Sequence, residues 1–275
     1  PQVKARQDKS MAKAKAWLNN LWQYEKNGNT VFDPDKECTY ADRIRRREPG
    51  DKTFGLSPHA DAGSVERWID DGYQKVYRNI FNGNWHDYDP FDASYRTEIS
   101  EIPSPAVSHV FRTFQGWTAL TEQGPNDGTL QLVPIVNNVV YILYRALLDD
   151  VAEDSLCGAL PGRALDASFD WHSLSLKALI SIPLLSPGDT VWWHPDITHA
   201  VENIHAGKNY SNVMYIGSSP LCKKNSDYLT IQGERFLKGE SAPDFSKEDY
   251  EVNFLNRAMM DDLSDKEVIN YHKYL

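Results

Sequence analysis

The spacing of apolar positions changes along the chain from helical to alternating and back. Between residues 10 and about 24, Ala14, Trp17, Leu18 and Leu21 recur at helical spacing, and "KNGN" closes the segment. "YADRIRRREPGDKTFGLSPHAD" then sets Ile44 among alternating arginines and brackets residues 53–56 with turn signals, which predicts strand, turn, strand. Helical spacing returns at Tyr73, Val76, Tyr77 and Ile80 and is broken by "NGNWHDYDPFD". "AVSHVFRTFQGWTAL" alternates and is rich in β-branched and aromatic residues, so it predicts a central strand, carrying Arg112, that pairs through "EQGPNDG" with "TLQLVP". Residues 139–148 predict a buried helix, 178–185 and 190–194 two strands about "SPGD", and 211–216 a further strand.

Short strands separated by Gly/Pro turns predict a mainly β domain with flanking helices, an α+β chain whose core is a sandwich or jelly-roll barrel. "SKEDYEVNFLNRAMM" and "SDKEVINYHKYL" both open with a serine followed three residues later by an acid, the capping-box pattern of two terminal helices. The expected organisation is a single domain: an amino-terminal helical segment over 1–38, a core over 40–220 and a helical extension over 221–275.

Composition narrows the function. A net charge of −10 opposes binding to nucleic-acid backbones. The 3 cysteines lack zinc-type spacing and a disulfide framework, which fits packed thiols in a reducing, cytoplasmic setting. The most apolar run, 139–148, is interrupted by Arg145 and is far shorter than the roughly 20 residues needed to cross a bilayer. No charged-then-apolar leader is visible after Pro1, with a segment upstream of it left open, and no membrane partner is expected. There is no Gly-x-Ser-x-Gly elbow and no Gly-rich phosphate loop.

The candidate chemistry lies in "GLSPHADAGSVERW". Residues i and i+2 of a strand share a face, so His59 and Asp61 can aim an imidazole and a carboxylate at one point. A second, distant histidine would complete the two-histidine, one-carboxylate facial triad of non-haem Fe(II) oxygenases. "PGDTVWWHPDITHAVEN" offers His194 and His199, of which His194 reads equally as a strand residue among Trp192 and Trp193. His86, His109, His172, His205 and His272 have no partner at ligand spacing and read as structural or surface residues.

"PHAD", "FQGWTALTEQGPNDGTLQLVP" and "PGDTVWWHPDITHAVEN" together resemble the Fe(II)- and 2-oxoglutarate-dependent dioxygenase superfamily, in its phytanoyl-CoA-dioxygenase-like and clavaminate-synthase-like forms. Within it, "RIRRREPGD", "PHADAGSVERW" and "YDPFDASYR" look most like a branch designated a domain of unknown function. The resemblance implies a double-stranded β-helix, or cupin-like jelly roll. It implies His59, Asp61 and His199 as catalytic iron ligands, and Fe(II), 2-oxoglutarate and O2 as cofactor and co-substrates. The expected reaction oxidises a small organic substrate and releases succinate and CO2.

The superfamily's basic residue for the far carboxylate of 2-oxoglutarate falls near Lys208, with Ser211 following. Arg112 is the rival, because a guanidinium fork suits bidentate carboxylate binding. Arg45 and Arg47, in a row with Arg43, and Glu66, Trp68 and Trp117 are substrate-side candidates. The arginine row reads equally as a solvated face, and Glu66 and Trp68 as the start of a helix. Ser57, Ser64, Thr198 and Asn203 are candidates to orient the ligands. A cupin-like isomerase or hydrolase holding zinc or manganese, or a non-catalytic metabolite-binding barrel, would use the same fold.

Overall fold

The computed structural model describes residues 5–6, 8–52, 57–99, 109–243 and 255. The expected terminal helices after Ser246 and Ser264, and the strand over 53–56, lie outside these residues.

The amino-terminal helix Lys9–Asn19 starts where the Asp8 carboxylate accepts a hydrogen bond from the Ser10 amide. Leu18 and the following Trp22 pack with Phe32, Phe111 and Phe114 in one apolar cluster. Asn27 and Gly28, both at positive φ, turn a small hairpin of β1 (Glu25–Lys26) and β2 (Asn29–Thr30) where a helix end is expected from the sequence. β3 (Asp33–Glu37) follows, so the first 38 residues are helical only in part.

Two antiparallel sheets build the centre. One has the order β10–β6–β12–β4, from Thr190–Trp193, Gln115–Ala119, Ser211–Tyr215 and Ile44–Arg47. The other has the order β8–β5–β11–β7–β9, from Leu165–Asp166, His59–Ala60, His199–Val201, Leu130–Leu132 and Ile180–Ser181. β13 (Pro220–Leu221) pairs with β3 at the edge. Trp117 and Ala119 of the first sheet meet Leu130, Ile182 and Trp193 in one buried cluster, so the sheets face each other.

From β4 to β7 and again from β9 to β12 each strand joins the sheet its predecessor is not in, while β7, β8 and β9 share one sheet. β6 and β7 do not pair with each other as the sequence pattern predicts; each joins a different sheet, and so do β9 and β10. The turn before β10 is made at Gly188, with φ of 97°, a conformation that costs glycine little. The protein is thus mixed α+β with antiparallel ladders, and among the described residues neither sheet closes on itself.

Helices flank the five-stranded sheet. Asp71–Val76 and Arg78–Phe81 realise the predicted helical run with a break at Tyr77, and Asn138–Arg145 is the buried helix. Tyr73, Val76, Tyr77, Ile80, Val139, Ile142 and Leu143 pack on Ala60 and Leu165, which anchors the strand that carries His59. Phe169–Leu176 is additional, and the long helix Lys223–Leu237 lies within the segment 221–275 expected to be helical. No described helix is long and apolar enough to cross a membrane.

Candidate metal centre

β5 and β11 are neighbours, and their register sets His199 opposite His59. The two rings lie 4.4 Å apart between centroids. The chain leaves β5 after Ala60, and Asp61 turns back toward the histidines, with Oδ1 3.3 Å from His59 Nε2 and 3.7 Å from His199 Nε2. One ligand atom from each of the three lies within 4.8 Å of the others, the one His/Cys/Asp/Glu group of this kind among the described residues.

The turn that delivers Asp61 is held under strain. Ala62 has φ of 71°, in the left-handed region that costs a non-glycine residue about 1–2 kcal/mol. Arg67 offsets this by donating from Nη2 to the Asp61 carbonyl at 2.5 Å and from Nε to the Gly63 carbonyl at 2.7 Å. A Cβ on Gly63 would stand 2.9 Å from Glu66 Cβ, so the tight turn needs glycine there.

The ring nitrogens that face away from Asp61 fix the tautomers. His59 Nδ1 donates to the Ser57 carbonyl at 2.5 Å and His199 Nδ1 to the Ile197 carbonyl at 3.0 Å. In the neutral rings both Nε2 lone pairs therefore point at the carboxylate, the arrangement that a carbonyl accepting from the opposite ring nitrogen imposes on metal-binding histidines. Backbone carbonyls do this orienting, in place of the Ser57, Ser64, Thr198 and Asn203 side chains expected from sequence. Thr198 instead binds Asn138, and Asn203 is exposed.

Three acceptors directed at one another need a proton or a cation between them. Burial pushes the Asp61 carboxyl up, but His199, His59 and Arg112 outweigh it and hold it well below the carboxylate range. Burial lowers His59, yet the hydrogen bond and charge of Asp61 raise it overall. Burial dominates at His199 and pushes it down to about 4. Two neutral imidazoles and one ionised carboxylate form a donor set that fits a divalent transition metal.

The remaining candidates divide clearly. Arg112 lies just before β6, rather than on a strand, with Nη2 3.7 Å from Asp61 Oδ2 and with Tyr40 and Asp42 beside it. A Cβ on Gly217 would meet Arg112 Cδ and the Tyr40 hydroxyl at 3.0 Å, so glycine makes room for the guanidinium. Lys208 is exposed on the loop before β12. Ser211 is buried and donates to the Asp127 carbonyl at 2.7 Å, with its hydroxyl 3.3 Å from His205.

Arg47 donates to the Gly128 carbonyl. Glu66 opens the short helix Glu66–Ile69 and accepts from the Ser64 and Gly162 amides, while Trp68 packs in the helical core and Trp117 between the sheets. These residues build the surroundings and do not line the cleft beside Asp61. Arg45 differs: Val213 is its register partner, so it shares the inner face of the four-stranded sheet, over the Tyr215 ring at 5.4 Å. It has no hydrogen-bond or ion-pair partner among the described residues, while its charge and that of Asp61 both bear on the Tyr215 hydroxyl.

Sequence reasoning missed a second centre. Asp196, 2% exposed, accepts from Arg96 Nη2 at 2.7 Å, Tyr77 at 2.7 Å and Tyr88 at 2.9 Å, with Arg67 Nη1 3.5 Å away. Its amide donates to His194 Nδ1, and His194 stacks on Trp22 with centroids 4.8 Å apart while Nε2 contacts the Pro90 carbonyl. His194 is thereby committed away from Asp61. The only sequence signal was Asp196 in "HPDITH", where it reads as part of a bend.

A His–Asp–His group that could hold a metal ion, set on an antiparallel two-sheet frame, defines the class, and the family is defined by comparison. The chain belongs to the Gig2-like family, whose model matches residues 1–270. It is 47% identical over 265 residues to "Uncharacterized protein YbiU" of Escherichia coli strain K12, covering 96% of this chain and 63% of that one. Among solved structures it resembles the "Putative Oxidoreductase" of Salmonella typhimurium LT2, with TM-score 0.90 and 45% identity over 98% of this chain and 65% of that one. The GlcNAc-inducible GIG2 (DUF1479) of Candida albicans matches with TM-score 0.84 and 31% identity, over 100% of this chain and 63% of that one. The chain thus spans under two thirds of the length of the relative from E. coli K12.

Proposed function

We propose that the protein is a non-haem Fe(II) oxygenase that uses 2-oxoglutarate, with His59, Asp61 and His199 as the metal ligands. The observation that carries this reading is the meeting of two Nε2 atoms and one carboxylate at a single point, with both opposite ring nitrogens tied to carbonyls. The alternation of β4 to β7 and of β9 to β12 between two facing antiparallel sheets supports a double-stranded β-helix as the core. The solved Salmonella relative described as a "Putative Oxidoreductase" points the same way.

Bound there, Fe(II) supplies O2 activation coupled to decarboxylation of 2-oxoglutarate and oxidation of a substrate C–H bond. The chain's own groups orient and shield. Arg45 is the anchor for the far carboxylate of 2-oxoglutarate: it shares the inner face of the four-stranded sheet, its guanidinium lies over the Tyr215 ring with no carboxylate partner among the described residues, and a planar fork holds a carboxylate at two points. Arg112 is a positioning residue that holds Asp61 ionised and directed at the histidines. Lys208, in its exposed loop, is left outside this scheme. The test is succinate formation from 2-oxoglutarate by the Fe(II)-loaded protein under O2; succinate that requires His59 and Asp61 supports the reading, and none above the His59→Ala background opposes it.

A further inference from the structure

β8 is an edge strand, and one of its two residues faces the candidate metal centre. The order β8–β5–β11 leaves the far side of β8 without a partner strand among the described residues. Asp166 is the register partner of His59, and directly opposite residues of an antiparallel pair project from the same face, with Cβ atoms about 5 Å apart. Its neighbours Leu165 and Ala167 are buried in the helical core on the other face. The Asp166 side chain is therefore directed inward, to the side that holds both histidines. Its charge accordingly reaches the His59 ring.

The backbone under Asp166 is held from both sides. The Ala167 amide donates to the Pro58 carbonyl at 2.8 Å. The loop that feeds β8 is tied to the Asp61 turn by the Glu66 carboxylate, which accepts from the Gly162 amide at 2.7 Å and the Ser64 amide at 2.8 Å. The carboxylate that this frame presents is exposed, and its one described hydrogen-bond partner is the Ser57 hydroxyl at 3.5 Å, the limit of such a contact. No lysine or arginine pairs with it among the described residues, whereas Asp61 has Arg112 and Asp196 has Arg67 and Arg96. An inward charge on an edge strand can also deter pairing with another sheet, a role that would show as self-association once the charge is removed.

We propose that Asp166 receives the cationic group of the substrate, an ammonium that enters over the β8 edge, so that the substrate is an amine-bearing small molecule whose oxidisable carbon is held between Asp166 and the metal ligands. A carboxylate that is fixed in place, open to solvent and not already neutralised binds a cation without first giving up an internal ion pair. The proposal rests on the oxygenase reading for the reaction, and it names the substrate class of that same site.

The test is calorimetric titration of the protein with benzylamine and its neutral counterpart benzyl alcohol, both metal-free and loaded with Zn(II) and 2-oxoglutarate. Proton relaxation of benzylamine with Co(II) in place of Zn(II) reports its distance from the metal. Because an exposed ion pair is weak, benzylamine is expected to bind about three- to tenfold tighter than benzyl alcohol. Asp166→Asn is expected to remove that preference while metal binding, 2-oxoglutarate affinity and the melting temperature stay unchanged, and Asp166→Glu to keep part of it. In the Co(II)-loaded protein the benzylamine methylene protons are expected to relax faster than with Zn(II), and Asp166→Asn to abolish the difference. Equal binding of the two compounds, binding of neither, a preference that survives in Asp166→Asn whether or not that variant self-associates, or unchanged relaxation in the Co(II)-loaded protein would overturn the proposal. Failure to bind metal or 2-oxoglutarate, with benzylamine still preferred through Asp166, would sink the oxygenase reading and leave the cation site standing.

Discussion

His59 and His199 are register partners on adjacent antiparallel strands, and each gives its Nδ1 proton to a backbone carbonyl two residues earlier in the chain. The ladder sets the spacing of the rings, and the carbonyls set which nitrogen is offered.

His59→Ala and His199→Ala are each expected to abolish stoichiometric binding of Fe(II) or Zn(II), measured by metal analysis after dialysis. His194→Ala should keep the metal. It loses a buried ring stacked on Trp22 and contacts with Asp196, so its cost falls on stability, about 2–4 kcal/mol in denaturant unfolding. Metal loss in His194→Ala with retention in His199→Ala would reverse the ligand assignment.

Asp196→Asn tests the second centre. Removing the charge leaves Arg67 and Arg96 buried around a neutral group, which costs about 3–5 kcal/mol. Because Arg67 also clamps the Asp61 turn, metal affinity should fall along with stability. A variant as stable as the parent would show that the Asp196 carboxylate does not hold these helices to the sheet.

Arg45→Gln is expected to raise the Kd for 2-oxoglutarate at least about tenfold with metal affinity unchanged, since only the carboxylate fork is lost. Lys208→Ala should change neither. Loss of 2-oxoglutarate binding in Lys208→Ala would return the anchor to the loop before β12.

Acid should weaken the fold before the carboxylates titrate. Burial lowers His172 and His194 from 6.5 to about 4. The unfolded chain then takes up protons from about pH 6.5 downward while the folded one does not, so stability is full above that pH and falls as pH drops toward 4. Urea midpoints across this interval measure it, and His172→Gln should flatten part of the slope. A midpoint that rises on acidification would contradict the buried neutral state of these rings.

Much of this was legible in the sequence where local pattern decides. The helical runs around Tyr73 and Val139, the turn at Gly188 and the pairing of His59 with Asp61 follow from spacing and residue type, whereas His199 in preference to His194 is what the family resemblance implies. Which strand pairs with which does not follow, because a loop such as 120–129 looks the same whether it closes a hairpin or crosses to the facing sheet. The arginine row is the sharpest case. Arg43, Arg45 and Arg47 are half-buried while Ile44 is exposed, the inverse of the usual alternation, with Arg45 over the Tyr215 ring and Arg47 donating to the Gly128 carbonyl. Asp196 escaped notice for a related reason: its partners Arg67, Tyr77, Tyr88 and Arg96 are gathered from three separate segments by packing alone.

The most direct measurement is the visible absorption of the protein titrated anaerobically with Fe(II) and then 2-oxoglutarate. A weak charge-transfer band that saturates at one equivalent of each, and that is absent in Asp61→Ala, is the predicted result. Tight Fe(II) binding with no band at any 2-oxoglutarate concentration would contradict the account.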